Sequence, residues 1–379
     1  SAFPQTKDRT MNPNVCPPGQ GNGNPGGGNT TVIIEQQPNL AINGAMKVAQ
    51  RGSSFTSVSA TQYTLDRWQL EFNGSPGAVV TVTQSTDAPT GSGLSQSLKI
   101  DCTTAEAAVA ASESIVLKTT IEAQDLQQLM YGDEANAQPT SLSFWVKSPK
   151  AGTQCVALYM DDGSVHNVQE FVVSVANAWE KKQVIFPGYT ALAIVDDNGA
   201  GLTISFPLVA GTDYQATKEI WETGNDYATS EQQNLLDDTA NNFCVTGVKF
   251  EVGATATGFV HEGFGVALSK SRRYFERIGE EVGCNFAVLA APLTTGARGA
   301  VLFSEKRIAP TVSVSAAGDF VLTDNAGVDL NVTTFNLGAA STFSVNVTPN
   351  VASGLVVGDA TRLADDNGGN AYIDFDAEY

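Results

Sequence analysis

Asp66-Arg67-Trp68-Gln69-Leu70-Glu71-Phe72 alternates polar and apolar side chains. A period of two places every second side chain on one face of an extended strand. The same alternation recurs at residues 79–82, 141–146, 154–159, 170–175, 182–186 and 203–206. Gly, Asn, Asp and Pro clusters separate these runs, which is the pattern of an antiparallel sandwich. Two segments depart from it. Residues 123–130 carry apolar side chains at helical spacing and predict a short helix ended near Gly132, and residues 263–278 predict a helical start around a basic stretch. Beyond about residue 284 further runs at 286–293, 300–303, 311–314, 320–323 and 342–347 predict a second, smaller β domain. No fixed-period repeat runs through the chain, which argues against a propeller or a β-helix.

Composition agrees with this reading. The chain has 379 residues, and Lys plus Arg number 21 against 40 for Asp plus Glu, a net charge of -19. That balance excludes a protein that grips nucleic-acid phosphates, which needs basic residues to displace counterions, and it disfavours docking on anionic lipid. Only 16% of residues are charged while 42% are hydrophobic, so the chain can bury sizeable cores and must cover much of its surface with uncharged polar residues. No apolar run approaches the roughly 18 residues needed to span a bilayer. Ser1-Ala2-Phe3-Pro4-Gln5 does not read as a signal peptide. Five widely spaced cysteines, none in a CxxC pair, read as reduced thiols made in a cytoplasm.

Residues 12–31 read NPNVCPPGQGNGNPGGGNTT. A stretch so rich in Gly, Pro and Asn buries too little apolar area to offset its backbone entropy. It reads either as a frayed tail or as an arm that docks on a larger assembly, with Val32, Ile33 and Ile34 as its anchor. The expected organisation is an arm over 1–37, a jelly roll over 38–270, and a C-terminal β-sandwich over 271–379 with a possible receptor contact.

Several strings resemble bacteriophage tail-fibre proteins, in consistent order over roughly residues 39–278. They are Asn39-Leu40-Ala41-Ile42-Asn43-Gly44, then Gln50-Arg51-Gly52 and Tyr63 with Asp66-Arg67-Trp68. Residues 121–132 lead into Leu142-Ser143-Phe144-Trp145-Val146-Lys147-Ser148, and Trp179-Glu180-Lys181-Lys182 follows. Residues 245–253, residues 256–261 and Arg273-Tyr274-Phe275-Glu276-Arg277-Ile278 complete the set, and residues 372–378 resemble the close of such fibres. The resemblance implies a structural virion fibre with a jelly roll like those of carbohydrate-binding modules, commonly a homotrimer. Its partners would be further copies of itself, virion proteins (tail tube, adaptor or capsid) reached through the arm, and a host-surface glycan or receptor. In the related modules the first strand tends to read Asn-Gly-x-Phe-Glu, its carboxylate helping to hold a structural calcium. Here Asn43-Gly44-Ala45-Met46-Lys47 places a lysine at that position, against the calcium.

Candidate chemistry is sparse. Asp161-Asp162-Gly163, Asp196-Asp197-Asn198-Gly199, Asp237-Asp238 and Asp365-Asp366-Asn367-Gly368 have the oxygen chemistry of calcium sites, yet Asp and Asn before Gly are also what tight turns require. Calcium stays unassigned and no cofactor is expected. No GxSxG, HExxH or Walker string is present, so no catalytic residue is assigned and the chain reads as non-enzymatic. Sugars stack their apolar faces on aromatic rings. Trp68 and Trp145 sit within strands and read as core, and Trp179 as a packing edge. Trp221, with Tyr214 and Tyr227 near it, is the glycan candidate. Its competing role is to pin a long loop. Lys270, Arg272, Arg273 and Arg277 form the basic cluster and read as a subunit interface or as a solvated helix face. His166 and His261 read as structural. The sequence thus points to a host-attachment fibre of the virion, with a capsid decoration protein, a polysaccharide depolymerase and a free carbohydrate-binding module as the other readings.

Overall fold

The computed structural model describes residues 37–379, so the arm anchor Val32, Ile33 and Ile34 lies outside the described residues. Two antiparallel sheets stack face to face as a jelly-roll β-sandwich. The first has six strands in the spatial order Ser54–Val58, Val79–Ser85, Ser97–Thr104, Asn242–Val252, Thr140–Lys147, Glu180–Phe186. The second, called the groove sheet below, has seven. Its order is Trp221–Thr223, Val165–Val173, Gly152–Met160, Ala200–Ala210, Ser114–Glu122, Gln69–Asn73, Gln62–Tyr63. Alternation does what period two demands. Leu70, Leu117, Ile204 and Leu158 point inward and are fully buried, while Gln69, Lys118 and Tyr159 point outward and are half-buried. Phe144 lies edge-on to both Phe171 and Phe206 at 5.0 Å, and its truncation to Ala would cost roughly 3–5 kcal/mol.

The opening string is only half strand. Trp68 N–H donates to the Leu65 carbonyl at 2.8 Å and Thr64 N–H to that of Trp68 at 2.8 Å, closing a turn in which Arg67 has φ 71°. The strand begins at Gln69. Trp68 is core, as its pattern indicates, but Trp145 is not: Phe144 and Val146 face the core, so Trp145 lies on the opposite face, half-buried. Gly44 shows why this position takes glycine. A Cβ there would lie 2.0 Å from the Val248 carbonyl oxygen, and Val248 N–H donates to the Gly44 carbonyl at 2.9 Å. The predicted short helix is a 3-10 turn, Ala123–Leu129, ended by Met130 at φ 51°. The helical start at 263 is Phe264–Arg272, followed by the strand Phe275–Gly279.

The second module closes differently from expectation. Asn285–Leu293, Gly296–Leu302, Ser344–Val351, Asp329–Ala340, Phe320–Thr323 and Ala360–Asp365 form a closed barrel, not a sandwich. The physical reason is that Ala360–Asp365 pairs with both Phe320–Thr323 and Asn285–Leu293, which leaves the ring no free edge. A three-stranded sheet of Phe275–Gly279, Tyr372–Asp376 and Thr311–Val314 adjoins it. Val301, Phe320, Val345, Val347 and Leu363 fill the interior. Among the described residues no helix is long and apolar enough to cross a membrane.

Candidate functional site

The outer face of the groove sheet is covered on one side only. Residues 211–229 fold over the strands Gly152–Met160 and Val165–Val173, sealing a small apolar cluster of Cys155, Ala157, Val168 and Ala228. The uncovered part is a groove of about 350 Å³, within the range of small-ligand sites. Register sets its floor: Lys118 pairs with Gln69 and Ser205, and Thr203 with Thr120 and Tyr159. Tyr63, Asp161, Asn225, Tyr227 and Tyr379 form its sides.

Two polar groups in this groove are left without full partners. The Ser205 hydroxyl is buried and has no hydrogen-bond partner. Asp161 receives one long bond, 3.4 Å from the Thr203 hydroxyl, and among the described residues no cation pairs with it. Burial pushes its carboxyl up to about 6, a shift that the Thr203 bond only partly opposes. Lys118 is not free to answer it, because its ammonium is bonded to Glu71. Burial alone would raise the Glu71 carboxyl, but the charge and hydrogen bond of Lys118 outweigh it and hold Glu71 below the usual range. Tyr227 donates to Glu71 at 3.3 Å and accepts from Asn225 at 2.7 Å. Aromatic rings and unsatisfied acceptors side by side are what a polyhydroxylated ligand engages, with C–H faces on the rings and hydroxyls on the acceptors.

The glycan candidates separate. Tyr227 forms a groove wall, and Tyr214 stacks behind it with centroids 5.5 Å apart. Trp221 does not join them. It pairs with Asn167, on the core side of its strand, and packs against Tyr131 and Tyr189 at 6.0 and 5.2 Å. Its indole N–H donates to the Pro187 carbonyl at 2.8 Å, so it pins the loop. The basic cluster has its charges engaged within the chain. Arg273 donates to both oxygens of Glu122, at 2.8 and 2.5 Å. Arg277 grips Asp374 twice at 2.7 Å. Lys270 bonds Glu262, and Arg272 lies 3.7 Å from Glu276. The Arg273–Glu122 pair and a buried Arg67–Glu378 pair join the sandwich to the second module, whereas Arg277 and Asp374 face each other on paired strands of one sheet.

The acidic turns cap themselves. Asp197 and Asp366 accept from Gly199 and Gly368 at 2.7 and 2.8 Å, and Asp162 accepts from Val195 at 2.8 Å. Asp237 bonds Lys150. Among the described residues no group of three or more His, Cys, Asp or Glu could hold a metal ion. His166 is buried beside Asp226, Nε2 to Oδ2 3.5 Å, and His261 meets the Ser92 carbonyl at 3.2 Å. A broader depression of about 490 Å³ on the barrel has its polar groups engaged. There Asp324 caps its own turn, and Arg362 donates to Thr323 at 3.0 Å.

The sequence reading missed Tyr63, Lys118, Tyr159, Ser205 and Tyr379 as groove residues, and weighed Asp161 as a calcium ligand or a turn residue but not as part of a glycan groove. A signal existed at Tyr159, an aromatic at an outward register between Leu158 and Met160. Ser205 gave none, since a serine on a strand is ordinary.

No known family model matches the sequence, and no curated protein matches it. Among solved structures, the chain is similar to the enzymatically active domain of bacteriophage CBA120 tailspike protein 4. Identity is 13%, with 56% of this chain and 21% of that chain covered, at a TM-score of 0.30. It is also similar to the family 11 carbohydrate-binding module from Clostridium thermocellum, solved with a β-1,3-1,4-mixed-linked tetrasaccharide. There identity is 13%, with 54% and 98% covered, at a TM-score of 0.26. At these values no groove residue is transferred from the likeness.

Proposed function

We propose that the groove binds a host-surface glycan and that the chain is a non-enzymatic adhesion component of a bacteriophage virion fibre. The observation that carries the glycan reading is the buried Ser205 hydroxyl without a partner, next to an unpaired Asp161 carboxylate and the Tyr159 and Tyr227 rings. A buried polar group left unmade costs about 1–3 kcal/mol, and a sugar hydroxyl donated to it would remove that cost. The groove also favours neutral over acidic sugars, since Asp161 is unpaired and Lys118 is already neutralised by Glu71. A glycan array probed with the full chain tests this. Neutral oligosaccharides should bind, and both Tyr159→Ala and Ser205→Val should weaken them. Equal binding by wild type and both variants would defeat the assignment.

The fibre part of the reading is supported by the ordered strings between residues 39 and 278. In it, the arm of 1–37 attaches the chain to the virion, and homotrimers repeated over several fibres turn weak contacts into avidity. Deleting residues 1–37 should abolish incorporation into virions while leaving glycan binding intact. A capsid decoration protein differs only in where the arm docks, and gold labelling of virions separates the two. Depolymerase activity would need two carboxylates roughly 5–9.5 Å apart. Glu71 and Asp161 lie three strand spacings of ~4.8 Å and about six residues of ~3.3 Å apart, well beyond that. Release of reducing ends from host polysaccharide by the purified chain would overturn the non-enzymatic reading.

A further inference from the structure

One side of the groove does not come from the sandwich. Tyr379 lines it, and residues 377–379 follow the strand Tyr372–Asp376 of the three-stranded sheet without joining any sheet themselves. With no ladder to hold them, their main-chain groups need other partners. Arg307, which precedes Thr311–Val314 of that same sheet, donates to the Ala377 and Glu378 carbonyls, both at 2.6 Å. Its guanidinium also lies 3.8 Å from the Tyr379 ring centroid. Glu378 is buried against Arg67 and Arg51 of the sandwich. Tyr379 then reaches the groove sheet at two points. Its main-chain N–H and oxygen meet the Tyr63 hydroxyl, each at 3.3 Å, and its own hydroxyl donates to the Gly199 carbonyl at 3.1 Å. Register puts the two walls on either side of the floor. Tyr227 bonds Glu71, which pairs with Val116, while Gly199 precedes Ala200, which pairs with Glu122. Lys118 and Thr120 lie between those positions on one strand.

We infer that the glycan site is shared between the two modules: Tyr379 is a sugar-contacting residue held in place by the second module, and sugar binding and closure of the joint stabilise each other. This rests on the glycan reading of the groove and extends it. A sugar lying on Lys118, Thr120 and Thr203 meets both walls. On the Tyr379 side the sandwich's own lining residues, Thr120, Asp161 and Ala200, supply no ring, so the only stacking surface there is one that the joint delivers. The Arg307 guanidinium and the Gly199 bond fix that ring before any ligand arrives, and a pre-set contact costs little ordering on binding. A ligand touching both modules binds only while the joint is closed. It therefore stabilises the closed joint, and whatever loosens the joint lowers affinity in equal measure.

Calorimetric titration and amide hydrogen exchange of the full chain test it, with the neutral oligosaccharide that wild type retains best on the array as the probe. Tyr379→Ala should lower affinity by roughly fivefold to tenfold, the loss of one stacked ring. Tyr379→Phe keeps the ring and loses only the Gly199 bond, so it should stay within about threefold of wild type. Arg307→Ala leaves every groove side chain in place yet should weaken binding by roughly threefold or more, because the ring is no longer held. In wild type, saturating sugar should slow exchange in residues 373–379 as well as on the groove floor, with Ser344–Val351 of the barrel unchanged as the control. If near-ultraviolet dichroism shows Tyr379→Ala unfolded, the exchange measurement on wild type decides. Wild type that binds sugar with no slowing at 373–379, or folded Tyr379→Ala and Arg307→Ala that both bind like wild type, would overturn the shared site and leave the groove standing. Wild type that retains no glycan at all would defeat the glycan reading and this inference with it.

Discussion

The joint between the two modules and the groove on the sandwich are built from the same side chains, tyrosines beside carboxylates and cations, yet they end in opposite states. Glu122 at the joint is fully buried and accepts four hydrogen bonds, two from Arg273, one from Tyr274 at 2.8 Å and one from Gln124 at 2.5 Å. Asp161 in the groove receives one, at 3.4 Å. Burial would raise either carboxyl. At Glu122 the bonds from Arg273 and Tyr274 win and the carboxyl sits below its usual range; at Asp161 burial wins and the carboxyl rises to about 6. A satisfied buried carboxylate is a structural part, whereas an unsatisfied one stores binding capacity.

The largest effect that would break this comparison is at the joint. Glu122→Ala leaves the Arg273 guanidinium and Tyr274 hydroxyl facing each other without an acceptor. Removing one partner of a buried pair costs about 3–5 kcal/mol. Because the Arg273 side chain keeps 34% exposure, the low end applies, about 3 kcal/mol in urea unfolding. The lowered pKa fixes the pH sign. Wild type holds this stability above the ordinary glutamate pKa of about 4.3 and loses it as pH falls through the lower folded value, so the gap between the two proteins should narrow in acid. A loss under 1 kcal/mol at pH 7 would deny the joint its role.

Asp161→Asn should act with the opposite sign. A folded-state pKa raised from 3.8 to about 6 means that ionising Asp161 costs stability as pH rises through that window. Two units correspond to about 3 kcal/mol. The group is partly exposed, so screening reduces this to roughly 1–2 kcal/mol. The asparagine variant should therefore be more stable than wild type at pH 8 and level with it below pH 4. It should also bind glycan more weakly at neutral pH. Wild-type affinity should fall as pH drops through 6, while the variant's stays flat. A variant destabilised at pH 8 would mean that Asp161 is a structural residue like Glu122.

How legible these two regions were differs for a physical reason. Period-two alternation found the sandwich, because inward Leu, Ile and Phe alternate with outward polar residues. It also located Thr311–Val314 of the three-stranded sheet and the barrel strand Phe320–Thr323 to the residue. It failed on Ser114–Glu122, whose SIVLKTTIE is buried on both faces at its start, and on Asp329–Ala340, where Asn, Thr, Gly and Ala face outward and dilute the pattern. The groove joins residues from positions 63 to 379, and only pairing across strands brings them together. Arg273 and Arg277 were visible as a basic cluster, but their acceptors, Glu122 and Asp374, lie 151 and 97 positions away. Charge in sequence does not reveal whether its partner is in the same chain.

Ser205→Val sharpens the comparison at a smaller scale. Replacing the unpartnered, buried hydroxyl with two methyls removes an unmade hydrogen bond and adds one carbon of volume, so stability should stay within about 1 kcal/mol of wild type. Glycan affinity should fall by roughly tenfold, the loss of one hydrogen bond of about 1–1.5 kcal/mol. A drop in stability with no change in binding would mean that the hydroxyl serves the fold.

Lys270→Ala has the smallest expected effect and tests the subunit-interface reading of the basic cluster. Its ammonium meets Glu262 with the two side chains 42 and 31% exposed, and pairs of that kind contribute about 0–1 kcal/mol. The variant should unfold within about 0.5 kcal/mol of wild type and sediment identically, because the Lys270 ammonium is paired within its own chain. A variant that dissociates would make the Phe264–Arg272 helix a subunit contact. The contrast with Arg273, only three residues on but doubly bonded to a fully buried carboxylate, is what separates a solvated charge from a joint.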